Sequence, residues 1–91
     1  MPPVELTRYA AELVERLLRA MLLSTPGATV AAPVHNATAS LVAVTVPTSM
    51  AASANDMITR IAALLSYHNI PSTVSVQLAI TVDIVNSNIS R

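Results

Sequence analysis

An α+β fold ordered helix, strand, strand, helix, strand is predicted by three features of this sequence. Apolar residues recur at helical spacing over about 4–23 and again over about 49–68. Val74, Val76, Leu78, Ile80, Val82 and Ile84 fall on every second position, the period of a strand with one face in a core. Turn-forming segments STPG, HNAT and HNIP separate these stretches. The expectation is one small domain over residues 1–91, with a three-stranded mixed sheet carrying both helices on one face and a short tail over 86–91.

The first helix, about 4–23, has a narrow wet side. On a wheel of about 100° per residue, Glu5, Arg8, Glu12, Glu15, Arg16 and Arg19 share an arc of roughly 100°. Leu6, Ala10, Leu13, Val14, Leu17, Leu18, Met21 and Leu22 fill roughly 220° of the rest, about twice the stripe one core requires. Glu12 with Arg16 and Glu15 with Arg19 stand at i,i+4 in the favourable orientation. Pro2 and Pro3 suit the approach or first turn, and STPG, holding the chain's one glycine, ends the helix.

ATVAAPV (28–34) and ASLVAVTV (39–46) then read as a hairpin around His35-Asn36-Ala37-Thr38. Pro33 lacks a donor for the ladder, which puts the first of the two at an edge. Val42, Val44 and Val46 form the expected core row of the second, and Leu41, Ala43 and Thr45 point the other way. The second helix, about 49–68, has Thr48, Ser49 and Ser53 as candidate N-caps. Its apolar side collects Met50, Ala54, Met57, Ile58, Ile61, Leu64 and Leu65. Asn69 in the left-handed conformation, Ile70 and Pro71 make its stop. The last strand spans about 73–85, longer than either hairpin strand, so its far end is free to extend a neighbouring sheet. A right-handed crossover through the second helix makes it parallel to the strand before.

This order of elements resembles the wedge-shaped modules of ring-building domains in secretion machines and the type II KH topology. The KH family's Gly-x-x-Gly loop is missing, since Gly27 is the sole glycine, so the resemblance implies no RNA binding of that kind.

Composition excludes several functions. Over half the residues are apolar (53%) but only 11% are charged, against roughly 25% in an average domain. Five Arg balance five acidic residues, giving no electrostatic case for nucleic acid. No cysteine is present for a disulfide, a thiolate metal site or a thiol nucleophile. One glycine cannot make a nucleophile elbow, a phosphate-cradling loop or a dinucleotide fingerprint. The N-terminal stretch carries too many charges for a signal peptide or membrane span, and prolines interrupt the longer uncharged runs. Residence in the cytoplasm or inside a virion is the expectation. Asn36-Ala37-Thr38 and Asn88-Ile89-Ser90 match a glycosylation pattern but lack the secretory context that would use it.

Titratable candidates are few. His68, in the last turn of the second helix, reads as a core-edge residue tied to terminal carbonyls, with a buried acid, base or ligand as the alternative. His35 reads as a solvated loop residue, and two separate histidines make no metal site. Asp83 interrupts an uncharged row and reads as a charge guarding a strand edge. Tyr9, bordering the apolar arc of the first helix, and Tyr67, at the edge of the second helix's polar face, are available to anchor a partner, with half-buried tyrosines of the domain itself as the commoner reading. No catalytic, cofactor-binding or metal-binding residue is assigned.

What remains is surface. The sheet face away from the helices carries Leu41, Ala43, Thr45, Ser75, Gln77, Ala79 and Thr81, with Val85 at its far end. A face of small, uncharged side chains suits packing against another copy or a partner. The wide apolar arc of the first helix, with Leu13 and Leu17, adds to it. The functional expectation is a non-enzymatic structural or assembly module, a homo-oligomer or a subunit of a larger assembly. The alternative is a small enzyme or ligand-binding subunit whose pocket forms between protomers from His35, His68 or Asp83.

Overall fold

Residues 3–83 are described by a computed structural model, in which two helices lie over a four-stranded sheet. Helix α1, Pro3–Leu22, has Glu5 in its first turn and Arg19 in its last, complementing the helix dipole. Of its two expected ion pairs, Glu15–Arg19 forms, at 3.0 Å. Arg19 also donates to the Val30 carbonyl at 2.8 Å, tying the end of α1 to the sheet. After α1, Gly27 takes φ 82°, where an added Cβ would meet only Pro47 Cβ at an ordinary 3.9 Å. Backbone conformation, not space, requires glycine there.

The first expected strand divides into two short pieces, β1 (Thr29–Val30) and β2 (Val34–His35), and the sheet has four strands rather than three. Both pieces lie antiparallel along one edge of β3 (Ala39–Pro47). Thr29 faces Thr45 while Val34 faces Leu41, so five steps on the outer strand match four on β3. The ladder continues through Ala31, whose N–H donates to Ala43 C=O at 3.0 Å. The extra residue therefore falls at Ala32 and Pro33, a β-bulge at the residue that has no N–H to offer. Between β2 and β3, Asn36 Oδ1 accepts from the N–H groups of Thr38 (3.0 Å) and Ala39 (2.8 Å), an Asx-stabilised turn.

A 3-10 segment, Thr48–Ser53, leads into α2, Ala54–Tyr67. None of the candidate N-cap side chains caps α2 in the expected way: Ser53 makes no side-chain capping bond, and Ala54 N–H is satisfied by Ala51 C=O of the 3-10 segment. The stop agrees with expectation. Asn69 adopts φ 56°, its N–H donates to Ser66 C=O, and Ile70 N–H donates to Leu65 C=O, both at 3.0 Å, a Schellman motif. Strand β4, Ser75–Asp83, then lies parallel to β3, residue for residue from Ala39↔Ser75 to Pro47↔Asp83. Within the described residues the two strands are equal in length; positions 84–85, the expected far end of β4, lie outside them.

The helices cover one face. Val42, Val44 and Val46 are at most 1% exposed and join Ala11, Val14, Leu18, Leu22, Met57 and Ile61 in one core. Each of these side chains other than Ala11 contributes about 1.5–3 kcal/mol through burial. α2 runs back along α1: Met21 and Leu22 share a cleft with Met50 and Met57, and Tyr9 meets His68 at the other end. α1 is thus covered by the sheet on one side and α2 on another. Val76, Leu78, Ile80 and Val82 pack against this core only partly, because the helical layer thins out above β4.

Two outcomes follow from this packing. Leu18→Ala lowers unfolding free energy in urea by about 2–5 kcal/mol, the range for truncating a fully buried leucine. Asn69→Gly leaves stability nearly unchanged while Asn69→Val loses about 1–2 kcal/mol, since only the latter resists the left-handed conformation.

Candidate functional site

The underside of the sheet is the surface left uncovered. Register fixes its rows: Leu41 beside Gln77, Ala43 beside Ala79, Thr45 beside Thr81, and Ala39 beside Ser75. Ser75, Gln77, Ala79 and Thr81 are exposed, Leu41 is 38% exposed, and Ala43 and Thr45 are half-buried by their neighbours. Val85, the seventh position on that side of the strand in the sequence reading, lies outside the described residues.

The bulge adds residues that the sequence did not assign to this face. Paired residues on neighbouring strands share a side, so Thr29 opposite Thr45 and Val34 opposite Leu41 both point to the underside. An unbroken alternation would have placed one of them on each face. Val34 is 66% exposed there. Pro33 was the available signal, since proline on a strand often marks a bulge.

Charge is segregated. Glu5, Arg8, Glu12, Glu15, Arg16 and Arg19 stand on α1, and Asp56 and Arg60 on α2, where they form a 3.0 Å pair. On the strands, Asp83 is the one formally charged residue, at the last position of β4. It is not isolated, since Thr48 Oγ1 donates to its backbone carbonyl at 2.8 Å. The underside therefore presents methyl groups, hydroxyls and one amide along its length, with the Asp83 carboxylate on the same row at its end.

The helix contribution expected at Leu13 and Leu17 is placed differently. Leu13 is buried, and Leu17, partly buried, packs against the core of its own protomer. The wide arc of α1 is absorbed by two neighbours, the sheet and α2, and leaves no broad apolar face there.

The histidines do not assemble a reacting centre. His35 lies half-buried in β2 rather than in a solvated loop, because the bulge turns it to the helix side, where its Nδ1 and the buried Ser40 hydroxyl share a 2.6 Å hydrogen bond. His68 sits 3.5 Å from the Tyr9 hydroxyl, with the rings of Tyr9 and Tyr67 edge-on to it at 6.3 and 5.3 Å between centroids. Its ring contacts are to these tyrosines, and the helix-end bond to Leu64 C=O comes from its backbone N–H. Asp83 lies at the far end of β4 from the residues beside Ser40, about 23 Å along the strand at 3.3 Å per residue. Within one protomer His35 and Asp83 do not converge.

Clefts add little chemistry. One of about 470 Å³ between the end of α1 and β1 is lined by Leu22, Leu23, Ala28, Thr29, Val30 and Arg19, whose guanidinium is already bonded to Glu15 and Val30. Among the described residues no group of three His, Asp or Glu side chains could hold a metal ion, and no helix is long and apolar enough to cross a membrane.

Element order, on which the resemblance read from the sequence rests, carries no function by itself. No protein-family model matches the chain, and no curated protein or solved structure matches it significantly.

Proposed function

We propose that this chain is a structural or assembly module, not an enzyme, whose function is to associate with further copies of itself through the underside of its sheet. One observation carries the reading: the charges of the helices and strands lie on α1, on α2 and at the tip of β4, leaving Leu41, Ala43, Thr45, Gln77, Ala79 and Thr81 as a continuous uncharged surface. A sheet face meant for water ordinarily alternates core residues with charged ones. Here the water-facing row is neutral from Ser75 to Thr81, with Asp83 at its end, which lets a second sheet approach to about 10 Å over that stretch without burying an ionised group. The exposed Val34 extends the surface across the outer strand. The clefts and histidines offer no competing reactive geometry within a protomer. The same surface suits a place in a larger assembly.

Light scattering over a dilution series tests the reading. Association that strengthens with concentration is expected, and a chain that stays monomeric at the highest concentration removes it. Ala43→Arg places a guanidinium in the centre of the face while leaving the core row untouched. It weakens association at least about tenfold, because burying an unpaired charge costs several kcal/mol, with an unchanged circular dichroism spectrum. An undiminished mass for this variant excludes the underside as the contact.

A further inference from the structure

We propose that β4 pairs edge to edge with β4 of a second copy, antiparallel, about a two-fold axis at Ala79. This rests on the self-association reading above and specifies a contact distinct from the underside. The two edges of the sheet are built differently. The β1/β2 edge carries Pro33 and a bulge, both of which discourage pairing with another strand. The outer edge of β4 has no strand paired to it among the described residues. Its sequence, SVQLAITVD, contains no proline, glycine or lysine.

Hydrogen-bond parity shows what that edge offers. Ala31 and Asn36 donate to the carbonyls of Ala43 and Ala39, so the odd-numbered carbonyls of β3 face β1 and β2, and the even-numbered ones face β4. The slanted bonds of a parallel ladder then take up the odd-numbered groups of β4. Val76, Leu78, Ile80 and Val82 are left with their N–H and C=O groups directed outward. An open row of donors and acceptors is a template for another strand.

The sequence of β4 identifies the strand that fits. Turned antiparallel about Ala79, it sets Val76 against Val82, Leu78 against Ile80, Gln77 against Thr81 and Ser75 against Asp83. Apolar residues meet apolar ones on the helix side, and small or polar residues meet on the underside. The four residues with outward-facing groups become the hydrogen-bonded pairs. A register displaced by one residue would place the apolar row against the polar one. Displacement by two keeps the faces but leaves residues at the ends unpaired. Charge agrees as well: the two Asp83 carboxylates stand at opposite ends of the paired strands, about 27 Å apart at 3.3 Å per residue, well beyond the ~10 Å over which salt screens them.

The helical layer is also suited to a neighbour. The row Val76, Leu78, Ile80 and Val82 is only half-buried. On the same side, Ile58 is 50% exposed and steps along α2 with Ala62 and Leu65, and the latter two share a cleft with Val74 at the entrance to β4. A second copy across the axis brings the same apolar stripe to cover this row.

The absence of cysteine permits single-cysteine cross-linking on the full chain. At the axis, non-hydrogen-bonded antiparallel partners have Cα atoms about 4.5 Å apart, within disulfide range. Mild oxidation of Ala79→Cys is expected to give a covalent dimer as the main species on a non-reducing gel. Ala43→Cys, one strand further in, is expected not to link: its counterpart is about 14 Å away by edge pairing and about 10 Å away by face stacking. Gln77→Cys and Thr81→Cys are each expected to stay unlinked alone and to form a heterodimer when mixed. If wild type associates but Ala79→Cys does not link, the edge pairing is overturned while the self-association reading stands. Self-linking of Gln77→Cys overturns the register. A wild-type chain that is monomeric, with Ala79→Cys unlinked, overturns both.

Discussion

The alternation of β3 is the constraint on which the rest of the molecule depends. Ser40, Val42, Val44 and Val46 are all but inaccessible, and every other strand is hydrogen-bonded to this one. A single strand thus fixes the plane of the sheet, the side on which the helices lie and the direction of β4. Because the period of a strand is two, burying the even row commits the odd row to the opposite side. With two helices and one sheet, the chain makes two layers and has nothing among its described residues with which to cover that second face. The character of Leu41, Ala43 and Thr45 is therefore an independent choice of the sequence. Packing does not dictate it.

That choice contrasts with the treatment of the helices. The exposed side of α1 is dense with glutamate and arginine, and α2 adds the Asp56–Arg60 pair, so this protein is able to place charges where water lies. Ion pairs of this exposed kind add little to stability. Their effect is on solubility, and they confer it on one side of the molecule only. The sheet edges show a similar asymmetry, since proline and a bulge interrupt one while the other, β4, has neither and carries its one charge, Asp83, at its end. Where one molecule protects some surfaces from association and leaves others open, the open ones are the candidates for function.

Much of this was legible from residue spacing. The rows of β3 and β4, the buried stripe of α1 and the Asn69 stop each rest on a local rule with a short period, and each is found where the spacing placed it. The misreadings share a different cause. ATVAAPV reads as one strand because a bulge inserts a single residue without changing composition, yet that residue reverses the facing of Val34 and His35. The start of α2 was indistinct because a 3-10 segment satisfies its first N–H groups by backbone alone. The arc of α1 was measured correctly but assigned to a partner, because a helical wheel gives the width of an apolar surface and not the number of elements that meet it. A helix lodged between a sheet and a second helix buries nearly twice the stripe of one lying on a single layer. The candidate surface was legible on β3 and β4 and incomplete on the outer strand for the reason given by the bulge.

The two proposed contacts also differ in what they allow an assembly to become. Edge pairing about Ala79 is isologous, so it closes after two copies and joins their sheets into one, with the undersides continuous across the axis and an Asp83 at each end of the paired strands. A contact between undersides then acts on a surface twice as wide, and the association it supports is stronger for the same residues. Two such pairs packed face to face form a closed assembly of four when the second contact is also two-fold. Any other angle between the faces leaves edges available only at β1 and β2, where Pro33 and the bulge resist further pairing. The order of strength matters as well. Hydrogen bonds along β4 specify register, whereas methyl and hydroxyl contacts across the underside tolerate sliding. In the proposed assembly the edge contact therefore sets the geometry, and the face contact supplies the area.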